Sequence, residues 1–238
     1  MKAIVVLISG RGSNMAAIAT ACAAERWPAR IAAVISSRAD ARGLATAREL
    51  GLAVEVLESR DFSDRAAFDE ALAGRVQAYR PDVVALAGFM RILSDRFVDR
   101  FRGRLVNIHP SLLPAFPGLN THARALAAGV AVHGATVHLV TAELDGGPIV
   151  AQAVVPVRAT DDAASLAARV LEAEHRLYPR VLRWMVEGRV GLVAGRVALR
   201  DPVPGERLLA IGLATGGPDA AGPDAAGPDA AGPDAGAS

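Results

Sequence analysis

The chain has 238 residues, 52% of them hydrophobic, which is ample for one buried core and marginal for two, so one catalytic domain is the expectation. Twenty-six basic and 25 acidic residues leave a formal net charge of +1, which excludes an overall field that would draw in nucleic acid or an anionic membrane and favours small-molecule partners. The single cysteine, Cys22, excludes an internal disulfide, and its Ala-rich apolar surroundings read as a packed helix position compatible with a reducing cytoplasm.

The first apolar run, Ala3 to Ile8, is too short for the h-region of a signal peptide and leads into Ser9-Gly10-Arg11-Gly12-Ser13-Asn14, so it reads as a buried first strand. β-Branched apolar runs recur at Ile31 to Ile35, Ala53 to Leu57, Val83 to Ala87 and Leu105 to Ile108. Met15 to Ala24, Ala41 to Leu50 and Arg65 to Tyr79 lie between them and are long enough for helices. This alternation predicts βαβ units, that is, an open, mostly parallel, Rossmann-like α/β sheet with helices on both faces. Past residue 130, Ala131 to Thr141 and Ile149 to Val157 read as two longer strands joined by a turn, an antiparallel addition at one side of the sheet. Thr160, ahead of Asp161 and Asp162, is the expected N-cap of a long helix with Leu166, Val170, Ala173 and Leu177 on one face. Pro179 is expected to kink or interrupt that helix. No stretch approaches the roughly 18 apolar residues of a membrane span. The catalytic domain is expected over residues 1–200, with 201–238 as a C-terminal extension. From Gly217 the unit Gly-Pro-Asp-Ala-Ala repeats without a large apolar side chain to bury, and disorder is expected there.

The loop from Ser9 to Asn14 sits between a predicted strand and a predicted helix, where backbone N–H groups and a helix N-terminus can hold an anion. Gly10 and Gly12 allow a tight turn, and Ser13 and Asn14 add donors for a phosphate. A Walker A loop would end in Gly-Lys-Ser/Thr, which is absent. A dinucleotide fingerprint would need a third glycine near Met15 and an acidic residue where Ser36-Ser37-Arg38 stands. The pattern is that of a phosphate site without a dinucleotide, against the plainer reading of a connecting turn.

Leu105-Val106-Asn107-Ile108-His109-Pro110 carries the sharpest chemistry. Residues two apart on a strand share a face, so Asn107 and His109 project together, and Pro110 ends the strand at the sheet edge where α/β proteins bind ligands. An amide and an imidazole side by side suit acyl transfer, as donors to a carbonyl oxygen that becomes an oxyanion. The plainer alternative is a pair satisfied by local backbone bonds. An unperturbed histidine titrates near 6.5, so His109 needs a carboxylate neighbour to stay protonated, and Asp145, in Leu144-Asp145-Gly146-Gly147-Pro148, is the candidate, although its spacing alone favours a turn aspartate. His133 and His138, five apart on one strand, face opposite sides and make a poor metal pair, and no serine sits in a Gly-x-Ser-x-Gly elbow.

Four ordered segments, Ile8 to Asn14, Ala87 to Leu93, Asn107 to Pro114 and Glu143 to Pro148, together resemble the phosphoribosylglycinamide formyltransferase family of purine biosynthesis, over about Ala3 to Val190. The resemblance implies 10-formyltetrahydrofolate as co-substrate and no metal. It implies that Gly12, Ser13 and Asn14 hold a ribose phosphate and that Glu174 contacts the sugar or glycinamide part. It further implies that Met90, Arg91, Ile92 and Leu93 line a pterin pocket with Arg65, Thr141, Ala142, Glu143 and Leu144 assisting, and that Asn107 also touches the folate. His109 is then the general acid, Asn107 the carbonyl-orienting donor and Asp145 the carboxylate that tunes His109 and relays protons, with His138 in a secondary role. Asn120 and Leu171 depart from the family pattern. A monomer and a homodimer are both compatible with this reading. Methionyl-tRNA formyltransferases share the strand motif, but residues 191 to 238 leave no room for their tRNA-binding domain. A formyltetrahydrofolate hydrolase, an NADP-binding reductase using Arg38, and a phosphate-ligand sensor remain as alternatives.

Overall fold

The computed structural model describes residues 1–212. In chain order these form β1 (Lys2–Ile8), α1 (Ser13–Ala24), β2 (Ala29–Ser36), α2 (Gly43–Glu49), β3 (Val54–Val56), α3 (Arg65–Ala78), β4 (Val83–Leu86), α4 (Asp95–Arg100) and β5 (Leu105–His109). There follow α5 (Thr121–Ala127), β6 (Val132–Leu139), β7 (Ile149–Pro156), α6 (Ala163–Val186), the hairpin β8 (Val190–Val193) and β9 (Arg196–Leu199), and β10 (Leu208–Ala210).

Eight strands make one sheet in the order β10-β7-β6-β5-β4-β1-β2-β3. β1 pairs in parallel with β2 and β4, and β4 with β5, whereas β6 is antiparallel to both β5 and β7. Since β10 runs parallel to β7, β6 alone is reversed. The expected α/β class and antiparallel addition are therefore present. The buried strands explain the arrangement: Ile4 through Ile8 are all fully buried, as a strand covered on both faces requires. Ile4, Val6 and Ile8 pack with Met15, Ile18, Leu177 and Val181 under α1 and α6, while Val5 and Leu7 pack with Phe68, Leu72, Phe97 and Phe101 under α3 and α4. Cys22 is buried in the first of these layers, as its composition context predicts. The strand order reverses between β1 and β4, which puts the ligand crevice of such a sheet at the C-terminal ends of β1, β4 and β5.

Three details of the expected pattern change. The N-cap of α6 is Asp162, two residues past Thr160, because its carboxylate and the Ser165 hydroxyl cap each other's backbone N–H groups reciprocally. Pro179 does not end α6, which runs on to Val186. The lost backbone bond is offset by burial of Leu177, Tyr178, Val181 and Leu182 around it, each such side chain contributing about 1.5–3 kcal/mol. The division expected at residue 200 has no counterpart in the hydrogen bonding, because Leu208–Ala210 joins the main sheet beside β7 and Arg207 donates to the carbonyls of Ile149 and Val150 at 2.5 and 2.7 Å. The Gly-Pro-Asp-Ala-Ala repeat lies outside the described residues. Among those described, no helix is long and apolar enough to cross a membrane.

Candidate active site

The loop after β1 turns on a backbone contact. Gly12 caps α1 with φ 73°, and a Cβ at Gly12 would lie 2.7 Å from Cα of Gly43, at the start of α2. A Cβ at Gly43 would in turn meet Cδ1 of Ile8 at 2.8 Å and Cα of Gly12 at 2.9 Å, so both positions need glycine. Ser9 ties three strand ends together: its hydroxyl lies 2.7 Å from that of Ser37 and accepts the Met90 N–H at 2.9 Å. Gly43 carried no signal in the sequence as a site residue, because its role comes from α2 arriving beside the loop after β1.

Asn14 is the second residue of α1. Its amide donates to Glu174 Oε2 at 2.6 Å, so the side chain is turned toward α6, while the backbone N–H groups of Gly12 to Asn14 remain at the helix N-terminus. Glu174 is 8% exposed, and burial pushes its carboxyl up to about 7 even though the Asn14 hydrogen bond opposes the shift. Asn14 Oδ1 is buried without a partner. A buried carboxyl pushed up to about 7 beside a glycine loop at a helix N-terminus is an arrangement found at functional sites.

The β5–β6 register sets Asn107 opposite His138 and His109 opposite Thr136, so the four side chains share one face, as the spacing of Asn107 and His109 requires. The loop carrying Asp145 folds back against them. Gly147 packs so tightly under this loop that a Cβ would lie 1.8 Å from the Leu139 carbonyl oxygen, and Asp145 itself adopts φ 53°, which aspartate tolerates better than most residues. The Asp145 carboxylate consequently lies 3.5 Å from His109 Nδ1 and 3.9 Å from His138 Nε2, and it accepts the Gly118 N–H at 2.8 Å. Spacing alone favoured a turn role for Asp145; the geometry brings it beside His109. His109 Nε2 faces the Phe116 carbonyl at 3.1 Å, and the ring is largely buried, more enclosed than a strand end alone implies.

His138 orders the amide. Burial lowers its pKa, and its Nδ1–H donates to the Leu139 carbonyl at 3.1 Å, so the neutral ring presents Nε2 as an acceptor to Asn107 Nδ2 at 3.2 Å. One Asn107 N–H is thereby committed and the other is left to a ligand. His133 faces the opposite side of β6, packed edge-on against the rings of Phe116 and His122.

The loop after β4 and the Asp145 loop each present apolar surface: Met90 is 73%, Ile92 63% and Leu144 61% exposed. Leu93 is buried, and Arg91 stacks its guanidinium on Phe68 at 4.5 Å. Arg65 donates to the Leu93 carbonyl at 2.6 Å and lies 3.9 Å from Asp69, so it braces this wall. Thr141 is half-buried, and Ala142 and Glu143 are exposed at the crevice edge. Asn120 caps α5 in the left-handed region, where asparagine is well tolerated, which accounts for its place there. Clefts of 660 and 510 Å³ lie elsewhere, along α6 and under residues 202–208, and the candidate residues line neither.

A model of the formyl transferase family matches residues 2–182. Phosphoribosylglycinamide formyltransferase of Escherichia coli is 52% identical over 187 residues, which is 79% of this chain and 88% of that protein. The chain belongs to the formyl transferase family. Among solved structures, glycinamide ribonucleotide transformylase 1 from Symbiobacterium toebii superposes on this formyl transferase with a TM-score of 0.82 at 49% identity, covering 84% of this chain and 95% of that one. A formyltetrahydrofolate deformylase from Pseudomonas syringae shares the fold at a TM-score of 0.78 and 28% identity, covering 84% of this chain and 66% of that one. The family match ends within α6, so the hairpin β8–β9 and β10 of this formyl transferase lie beyond it.

Proposed function

We propose that this formyl transferase moves the formyl group of 10-formyltetrahydrofolate onto the amine of 5-phosphoribosylglycinamide, giving the formylglycinamide ribonucleotide of purine biosynthesis. The observation that carries the reading is the convergence of Asn107, His109 and Asp145 at the sheet edge from which the glycine loop also emerges. The likeness to enzymes named for this reaction, over 79% of this chain and 88% of the Escherichia coli protein, supports it.

In this reading, backbone N–H groups of Gly12, Ser13 and Asn14 hold the phosphate, with the Ser13 hydroxyl beside them, and Glu174, fixed by Asn14, takes the sugar or glycinamide end. Met90, Arg91, Ile92 and Leu93 line the pterin side, with Arg65 behind them and Thr141 to Leu144 across the crevice. The substrate amine attacks the formyl carbon, and the carbonyl oxygen becomes an oxyanion. The uncommitted Asn107 N–H donates to it. The His109 Nδ1–Asp145 separation of 3.5 Å is long for a hydrogen bond, so that N–H can swing to the same oxygen while the carboxylate remains its counter-charge. When the carbon–nitrogen bond to the folate breaks, the proton given up by the amine reaches the departing nitrogen through a water held by Asp145. No metal takes part in this scheme. Partners are the two small molecules, whether the chain acts as monomer or homodimer, in the cytoplasm.

The test is direct. Purified chain, the glycinamide ribonucleotide and 10-formyltetrahydrofolate are mixed, and release of the folate is followed by absorbance. Release that requires the amine is expected; release without it would mark a hydrolase, and none with both substrates present would end the proposal.

A further inference from the structure

His109, Thr136 and Gln152 occupy one cross-strand row over β5, β6 and β7, and β10 extends the row with Leu208. Gln152 is thus two strands from the imidazole, outside the candidate site, yet its side chain reaches back toward it. Its Nε2 donates to the Leu113 carbonyl at 2.9 Å and to Thr136 Oγ1 at 3.0 Å. Thr136 Oγ1 also accepts the Leu113 N–H at 3.0 Å and spends its own hydrogen on the Ser111 carbonyl at 2.7 Å. Ser111 Oγ then donates to the Ala115 carbonyl at 2.7 Å. These bonds shape the turn that leads from His109 to Phe116, whose carbonyl meets His109 Nε2. Phe116 stands at φ 55°, a conformation that an L residue keeps only where its surroundings hold it.

We propose that Gln152 is a positioning residue for formyl transfer, holding the turn from Ser111 to Phe116 and through it the orientation of the His109 ring. The inference rests on the reading above, in which His109 acts at the formyl oxygen. The donor count makes the residue type specific. Leu113 offers a carbonyl, and Thr136 has already committed its hydrogen, so both partners of Gln152 are acceptors and only an NH₂ group satisfies the two together. An ionised carboxylate would set two acceptors against it, and a protonated one would restore a single donor. The strand is held from the other side as well, since the Gln152 backbone N–H donates to the Arg207 carbonyl at 2.9 Å, so the register of the row is anchored by a segment beyond the family match.

The test compares Gln152→Glu, Gln152→Met and His109→Asn in the full chain, with kcat and both KM values measured from pH 6 to 9. At pH 8 Gln152→Glu should lose roughly tenfold or more in kcat, as expected when a catalytic group is misplaced by a fraction of an ångström, with both KM values within about threefold of the parent. Gln152→Met, which offers no donor to Leu113 or Thr136, should show a comparable kcat deficit with both KM values kept. Parental kcat in both Gln152 variants while His109→Asn is inactive would overturn the proposal. So would KM rising in step with the fall in kcat, which would mark a purely structural side chain. Retained turnover in His109→Asn would instead sink the reading on which the inference stands.

Discussion

Glu174 is a carboxyl in a place where a carboxylate is costly. Its folded pKa of about 7 lies above the ordinary 4.5, so its stabilising contribution is complete below pH 4.5 and is lost as pH rises through 7. Glu174→Gln should therefore stabilise the ligand-free protein at pH 8.5, by on the order of 3 kcal/mol at one unit per 1.36 kcal/mol, with the difference fading toward pH 4.5. Melting temperatures at the two ends of this range check the sign, and a difference independent of pH would contradict it. The same variant should weaken binding of the phosphorylated substrate above pH 7, where the parent carboxylate is available to accept hydroxyl hydrogens. His109→Asn belongs to the same scale. Loss of one oxyanion donor typically costs about 2.7–4 kcal/mol of barrier, so turnover should fall by 100-fold or more with substrate binding largely kept. Near-parental turnover would remove the imidazole from the chemistry.

At the scale of elements, the site is made by loops meeting rather than by any one motif. α1 begins at Gly12, and α2 reaches it through Gly43 with no room for a side chain between them. Gly43→Ala should push Ile8 and the glycine loop apart, raising KM for the phosphorylated substrate severalfold while leaving KM for the folate unchanged. Equal shifts in both would locate the damage in the fold. The Asn107–His109 pair was legible because a strand's alternation is a local property, and it survives in the β5–β6 register. The partners of that pair were less so. On spacing Asp145 read rather as a turn residue, and nothing paired Asn14 with Glu174, because nothing local says that Asp145 folds over β5 or that α6 brings Glu174 within 2.6 Å of Asn14. Helix ends failed for a related reason: Thr160 and Asp162 are both good caps, and the reciprocal bond with Ser165 chose between them.

For the molecule as a whole, the segment after residue 200 contributes a strand to the main sheet. β10 and Arg207 belong to the sheet, with Arg207 satisfying carbonyls at the start of β7. Truncation after Gly216 should leave melting temperature and activity nearly unchanged, because the repeat offers no large apolar side chain to bury. Truncation after Arg200 should lower the melting temperature by several degrees, since it removes charge-assisted hydrogen bonds and the edge strand together. Equal melting temperatures for the two would show that β10 adds nothing. The α/β class, the parallel order of the first five strands, the antiparallel addition and the four family segments were all readable along the chain, since hydrophobic period and short motifs are written in neighbouring residues. Which carboxylate met which histidine, which glycines had to touch and which glutamine braced the turn after His109 were settled by packing, because each joins residues far apart in the chain whose types alone do not name their partners.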